Sequence, residues 1–552
     1  MKLGKWKCAL LLQMFAMLSA CSTGSYDFPA GPVDAALFFQ GPQADRQALQ
    51  ALTSKPGTYP SLSALLAAPS TQGAWLVGIK PALVDAENSE LAVKLPEEGV
   101  VRFNLKRSSD VAGMSGWIGD LPSDRKQRFP SPDEVNFDPF NWISLVRDGD
   151  QVVGDIHFKG QLYRLEPIGA GQHVLIKVDE SKMAPEGDPI LASNPSWVGR
   201  TGKSAPSAHS TIRVMFVTTN ERRTHSPQYR AELVQALQNA NQYLINTRVA
   251  ITYELAGLFD PNYSESGKNQ WAMLQEMANT NSALGRMIAP ERERSGADLV
   301  SLYNTESSIC GNAYGWSKKE TGFSTISCTV AVAHELGHNL GGGHGLEGND
   351  PEKSYNHGYR HYSPNFHTIQ VTSHGAVPYF SNPRLTYQGV AMGTFQNHDI
   401  ARQFDEYRHV IENFYPPMPN VLNNKGRFEQ GAPNTCLGAF AGINIQFVRC
   451  SASVNELWRI EPWGGAGTSR IVANDGKCMA QVNNEVKLAT CPADVKDDFR
   501  WTVTALPDNT SKIQSYNRDL CLGSQLSLRP APELLACDNS THQRWMETAT
   551  AQ

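Results

Sequence analysis

Residues 333–345 read Ala-His-Glu-Leu-Gly-His-Asn-Leu-Gly-Gly-Gly-His-Gly, and this stretch restricts the local fold more than any other. His334 and His338 are four residues apart, so on a helix they share one face, with Cβ atoms about 5–6 Å apart. Two imidazole nitrogens can then meet one ion at roughly 2.0–2.1 Å. If the helix continued, His344 would lie about 15 Å along the axis from His334. The chain must therefore leave the helix and double back. Gly341, Gly342 and Gly343 permit this, because glycine takes positive φ without steric penalty. The reading is a helix that ends at Gly341 and three ligands, His334, His338 and His344, around one catalytic zinc ion, which suits neutral imidazoles. Glu335 lies beside the first ligand and can reach a water in the open coordination position as general base. His357, His361, His367 and His374 follow. None is paired with a carboxylate at helical spacing, so they read as surface or supporting groups.

The chain has 552 residues, too many for one ordinary domain. Its formal net charge is −5 with mixed signs along the chain, and no basic stripe suggests a nucleic-acid partner. Lys2, Lys5 and Lys7 flank the start of an apolar run ending in Leu18-Ser19-Ala20-Cys21. The run is too short to span a bilayer as a mature helix. Residues 1–20 read as a lipoprotein signal peptide, with Cys21 as the acylated first residue of the mature chain. The expected location is the outer membrane or cell surface, with secretion as the alternative. Setting Cys8 and Cys21 aside from the ten cysteines leaves four near-neighbour pairs: Cys310/Cys328, Cys436/Cys450, Cys478/Cys491 and Cys521/Cys537. In an exported chain they read as disulfides.

The expected architecture is multidomain. Residues 21–55 read as a tether. Residues 56–200 are β-rich, and 142–179 alternate in short runs split by Asp-Gly and Gly-rich turns, the pattern of a meander. From 208 to 416 strand and helix patterns alternate, which predicts an α/β domain with a largely parallel sheet. Its helix over 226–247 carries Leu233, Leu237, Ala240 and Leu244 on one face, and its closing helix over 399–414 carries Ile400, Phe404, Tyr407, Ile411 and Phe414. Residues 431–550 repeat three times a cysteine pair followed by Trp458, Trp501 or Trp545. One such unit cannot bury its tryptophan alone, so an all-β trefoil is expected.

His334-Glu335-x-x-His338-x-x-Gly341-x-x-His344 resembles the zinc signature of metzincin metallopeptidases. Residues 296–315 and 377–393 resemble the flanking segments of bacterial reprolysin-like and peptidyl-Asp metallopeptidases. The resemblance implies an α/β metzincin-like catalytic domain, zinc on the three histidines, Glu335 as acid/base, and an extended peptide substrate along an edge strand. Two positions depart from the pattern. Gly345 stands where the reprolysin branch has aspartate. Thr368-Ile369-Gln370 stands where the family has a methionine-bearing turn beneath the metal, and Met392 is too far downstream to replace it. A peptidyl-Asp preference would require a cation such as Arg360 or Arg384 in the pocket for the acidic side chain. The β-rich segment resembles a pro-region. It contains no cysteine, so a thiol cannot plug the metal, and a carboxylate or histidine would have to. A permanent structural partner is the alternative.

The C-terminal repeats resemble a ricin-type β-trefoil lectin domain. Only the last copy has Gln-x-Trp, as Gln543-Arg544-Trp545. Asp475, Asp519 and Gln543 are the candidate sugar-binding residues. The combined expectation is a zinc endopeptidase acting on proteins or glycoproteins and targeted by a lectin-like domain to glycosylated surfaces. The alternatives are an inactive surface adhesin and a glycan-binding toxin component.

Overall fold

A computed structural model of the chain describes residues 37–191 except 45, then 207–346, 354–417 and, with short interruptions, 420–549. Cys21 and the segment read as an export signal lie outside these residues.

Nine strands, from Leu37–Ala44 to Gln172–Val178, close into a barrel. The meander expected over 142–179 forms its continuous antiparallel wall: Trp142–Asp148, Gln151–Phe158, Gln161–Gly169 and Gln172–Val178. Alternate residues Leu145, Ile156, Leu165 and Leu175 point inward with Phe103 and Trp117, all fully buried. The tether expected over 21–55 is corrected in its second half. Leu37–Ala44 closes the barrel, antiparallel to Thr71–Ile79 and parallel to Glu90–Leu95. Arg46–Leu52 is a helix whose Leu49 packs against Leu62 and Leu66. So short an apolar run gains its partners only from strands far along the chain.

The second unit has a six-stranded sheet in the order Ile190–Leu191, Gly311–Gly315, Phe323–Ile326, Leu299–Tyr303, Ser210–Thr218, Ile251–Phe259. All neighbours are parallel except Gly311–Gly315 with Phe323–Ile326. The long helix Tyr229–Thr247 packs on this sheet through Leu233, Leu237, Ala240 and Leu244. Its opposite, polar face is buried too, because the barrel lies on it. Gln235 and Asn239 donate to the Asp155 carboxylate at 2.6 and 3.2 Å, and Gln238 donates to Ser144 Oγ at 2.9 Å. The closing helix is Ile400–Ile411, capped by the Asp399 side chain.

Residues 420–549 form twelve mutually paired strands. The three repeat tryptophans are fully buried in one core. Each indole donates to a backbone carbonyl of its own repeat: Trp458 to Leu437, Trp501 to Met479 and Trp545 to Leu522. The disulfides Cys436–Cys450, Cys478–Cys491 and Cys521–Cys537 recur with the repeat, and Cys310–Cys328 lies in the α/β unit.

Candidate metal centre

The helix bearing the motif runs Val332–Asn339 and is buried along its whole length. It stops where the histidine spacing requires. Gly341 has φ +88°. Its amide donates to the His338 carbonyl at 2.8 Å, and that of Gly342 donates to Gly337 at 2.9 Å, which satisfies carbonyls the helix leaves open. A Cβ on Gly341 would stand 2.7 Å from Gln403 Nε2 and 2.9 Å from the Trp316 ring, so the position is closed by conformation and by space. The returning segment is held by Asn356, whose Nδ2 donates to the Gly341 carbonyl at 2.6 Å and whose carbonyl accepts from Gly343 at 2.7 Å.

This turn brings the three ring nitrogens together. His334 Nε2 and His338 Nε2 are 2.9 Å apart, and each is 3.1 Å from His344 Nε2. Among the described residues, these three form the cluster placed to hold a metal ion. The donor set fits such an ion. His334 Nδ1 lies 2.9 Å from the Ile369 carbonyl and His338 Nδ1 2.7 Å from that of Gly342. Each carbonyl takes the Nδ1 proton and leaves Nε2 a lone pair aimed at the centre. Burial lowers His334 to about 4 and holds His338 well below its usual range, so both are neutral.

Glu335 is fully buried, and neither carboxylate oxygen has a hydrogen-bond partner among the described residues. Burial, then the nearby Glu186 charge, pushes its carboxyl well up. A Cβ on Gly311 would fall 2.6 Å from Glu335 Oε1, so the strand Gly311–Gly315 runs directly over this carboxylate. The Cys310–Cys328 disulfide ties the start of that strand to the segment entering the motif helix. Gln370 lies beneath the centre, fully buried, where its Nε2 donates to the His334 carbonyl at 3.0 Å and stands 3.1 Å from His338 Nδ1.

Glu186 is the residue that sequence reasoning missed. Its carboxylate accepts from the Ser373 amide and Thr372 Oγ1, each at 2.8 Å, and from Ser373 Oγ, and it stands 3.7 Å from His374 Nε2. Burial works against its charge, but the charge that His334 and His374 carry when protonated, with the hydrogen bonds from Ser373 and Thr372, brings it down to about 2. No local pattern marks this residue, since its partners lie far along the chain. Two cations, Arg384 and Arg360, are candidates for an acidic pocket. Arg384 forms a two-pronged pair with Asp399 at 2.8 and 2.5 Å, and Arg360 is exposed on the short strand Arg360–Tyr362.

In the C-terminal unit, Asp475 accepts from the Lys477 amide at 3.0 Å and Asp519 accepts from Gln514 Nε2 at 3.1 Å. Gln543 is corrected as a sugar contact. It is 2% exposed, and its amide is engaged with the Asp538 amide and the Ala536 carbonyl.

A three-histidine cluster closed by a glycine turn, with a buried glutamate beside it in an α/β unit, defines a metal-dependent peptidase of the metzincin type. A family model described as metallo-peptidase family M12B, reprolysin-like, matches residues 230–345. A peptidyl-Asp metalloendopeptidase of Xanthomonas campestris pv. campestris is 33% identical over 406 residues, covering 70% of this chain and 94% of its own. One from Stenotrophomonas maltophilia (strain R551-3) is 34% identical over 386 residues, covering 65% and 90%. The chain belongs to the peptidyl-Asp metalloendopeptidase family and is a metalloendopeptidase. A designed threefold-symmetric protein, ThreeFoil, aligns with 24% of this chain and 99% of its own at 16% identity, with a TM-score of 0.21.

Proposed function

We propose that the chain is an exported, lipid-anchored zinc endopeptidase that cuts proteins beside acidic residues. In this reading its barrel is an inhibitory pro-region, and its C-terminal unit is a β-trefoil that carries it to glycosylated surfaces. The observation that supports the chemistry is the convergence of three Nε2 atoms beside a buried, unpartnered Glu335. His334, His338 and His344 would hold the ion. When bound, it would polarise the scissile carbonyl and acidify a water. Glu335 takes the proton released as water adds to that carbonyl and returns it to the leaving amine. Neutral imidazole donors suit zinc. The acidic preference is supported by the names of the relatives, the trefoil reading by the repeat of cysteine pairs and buried tryptophans, and the glycan role by the resemblance of these repeats to ricin-type lectin domains.

Zinc content and cleavage of casein or a peptide library, measured together, test the reading. Zinc near one per chain and cleavage abolished by Glu335→Ala are expected. Zinc without cleavage, in the intact chain and in one beginning near residue 205, would favour the adhesin.

A further inference from the structure

We propose that Thr372, Ser373 and His374 wall the subsite that receives a substrate's acidic side chain, and that Glu186 fills this subsite in the uncleaved chain. The proposal rests on the acid-directed reading above and names the residues that would carry it.

Three observations meet here. The first is the path of the segment leaving the barrel. The Pro185 carbonyl accepts from the Cys310 amide at 2.7 Å, the Gly187 amide donates to the Gly311 carbonyl at 2.8 Å, and Ile190–Leu191 pairs in parallel with Tyr314 and Gly315. The segment thus takes the free edge of the strand that covers Glu335, in the extended form a peptide would use. The second is what it delivers. The Glu186 side chain is 6% exposed and receives the Ser373 amide and two hydroxyls, with His374 Nε2 at 3.7 Å. Asp188, on the same segment, lies 3.5 Å from His344 Nδ1 but is 94% exposed, so only Glu186 is enclosed. The third is position. Thr372–His374 are separated by Val371 alone from the pair Ile369 and Gln370, of which the Ile369 carbonyl holds His334 and Gln370 donates to the His334 carbonyl. A carboxylate is therefore gripped beside the reacting groups by donors that a neutral amide side chain would match poorly.

The test uses the intact full chain, its length verified by mass spectrometry, and peptides identical except for Asp or Asn at one position. Glu186→Ala, and the isosteric Glu186→Gln, should raise kcat/KM for the Asp peptide by about tenfold or more by vacating the subsite. On the Glu186→Ala background, Thr372→Val with Ser373→Ala should lower the Asp-to-Asn ratio of kcat/KM at least about tenfold. Zinc content and far-ultraviolet dichroism report folding. If the double variant loses either, Ser373→Ala alone carries the comparison, since it keeps the backbone amide. An Asp preference that survives unchanged overturns the subsite while leaving the acid-directed reading standing. Equal rates on both peptides in the Glu186→Ala parent overturn that reading itself. No gain from either Glu186 variant overturns its role as occupant.

Discussion

Gly341 shows how much one residue can decide. Its φ of +88° costs any other residue roughly 1–2 kcal/mol, and a Cβ there would also press on Gln403 and Trp316. Gly341→Ala is expected to destabilise the protein by about 2 kcal/mol or more and to weaken metal binding, because His344 would no longer return to His334 and His338. Zinc stoichiometry under graded chelator, with thermal unfolding, checks both. Glu335 is the opposite case, a residue at odds with its surroundings. A buried carboxylate without partners is unfavourable, so Glu335→Gln should raise the Tm of the metal-free protein while lowering cleavage about 10²–10⁴-fold. A drop in Tm would mean that Glu335 has a structural partner. Both residues are legible in the sequence because their geometry is set by neighbours within one turn. Glu186 is not, because its pocket comes from residues 372–374.

At the scale of elements, the long helix Tyr229–Thr247 marks where sequence patterning runs out. Its apolar face is read correctly from spacing, but Gln235, Gln238 and Asn239 look like a solvated face and are buried. They serve the barrel, and no periodicity distinguishes an amide that meets water from one that meets Asp155. Asp155→Ala leaves two amides and the Arg164 guanidinium without their carboxylate. A loss of about 2–4 kcal/mol in urea unfolding is expected, and a change under about 0.5 kcal/mol would mean water replaces the carboxylate at no cost. The helix Ala283–Ser295 is hidden for another reason, as it contains Pro290, which reads as a breaker. The barrel also has a pH response of its own. His173 is buried, and its Nε2 accepts from the Val152 amide at 3.1 Å. Burial, only partly offset by the nearby Gly171 backbone carbonyl, holds it at about 4. The unfolded chain takes up this proton near pH 6.5 and the folded one only near 4. Stability is thus full above the unfolded value and is lost as pH falls between them. The contribution lost at pH 5 is about 2 kcal/mol. In urea titrations, the stability lost between pH 7.5 and 5 should be smaller by about that amount in His173→Gln than in the wild type.

For the whole molecule, the question is what holds the barrel on the α/β unit. The four disulfides and the repeat of tryptophans are legible along the chain because each pair closes locally. Barrel docking is not, since it joins residues hundreds apart. Beyond the Asp155 cluster, Glu134 is fully buried and accepts from the Gln388 and Gly389 amides at 2.8 and 3.2 Å and from Thr386 Oγ1 at 2.9 Å. Backbone bonds flank it, Val135 to Thr386 at 3.0 Å and Thr386 to Asp133 at 2.9 Å, and Tyr379 donates to the Phe137 carbonyl at 2.9 Å. These contacts do not depend on chain continuity between barrel and catalytic unit. Cutting a specific protease site placed at 192–206 should therefore leave the two pieces together in size-exclusion chromatography. Cleavage of peptides should rise little until the barrel leaves. Adding Glu134→Ala, which strips the carboxylate from three donors and from Arg125, should let the pieces separate and activity appear. If the cut alone releases the barrel, the interface is too weak to inhibit by itself, and continuity of the chain is what keeps Glu186 in place.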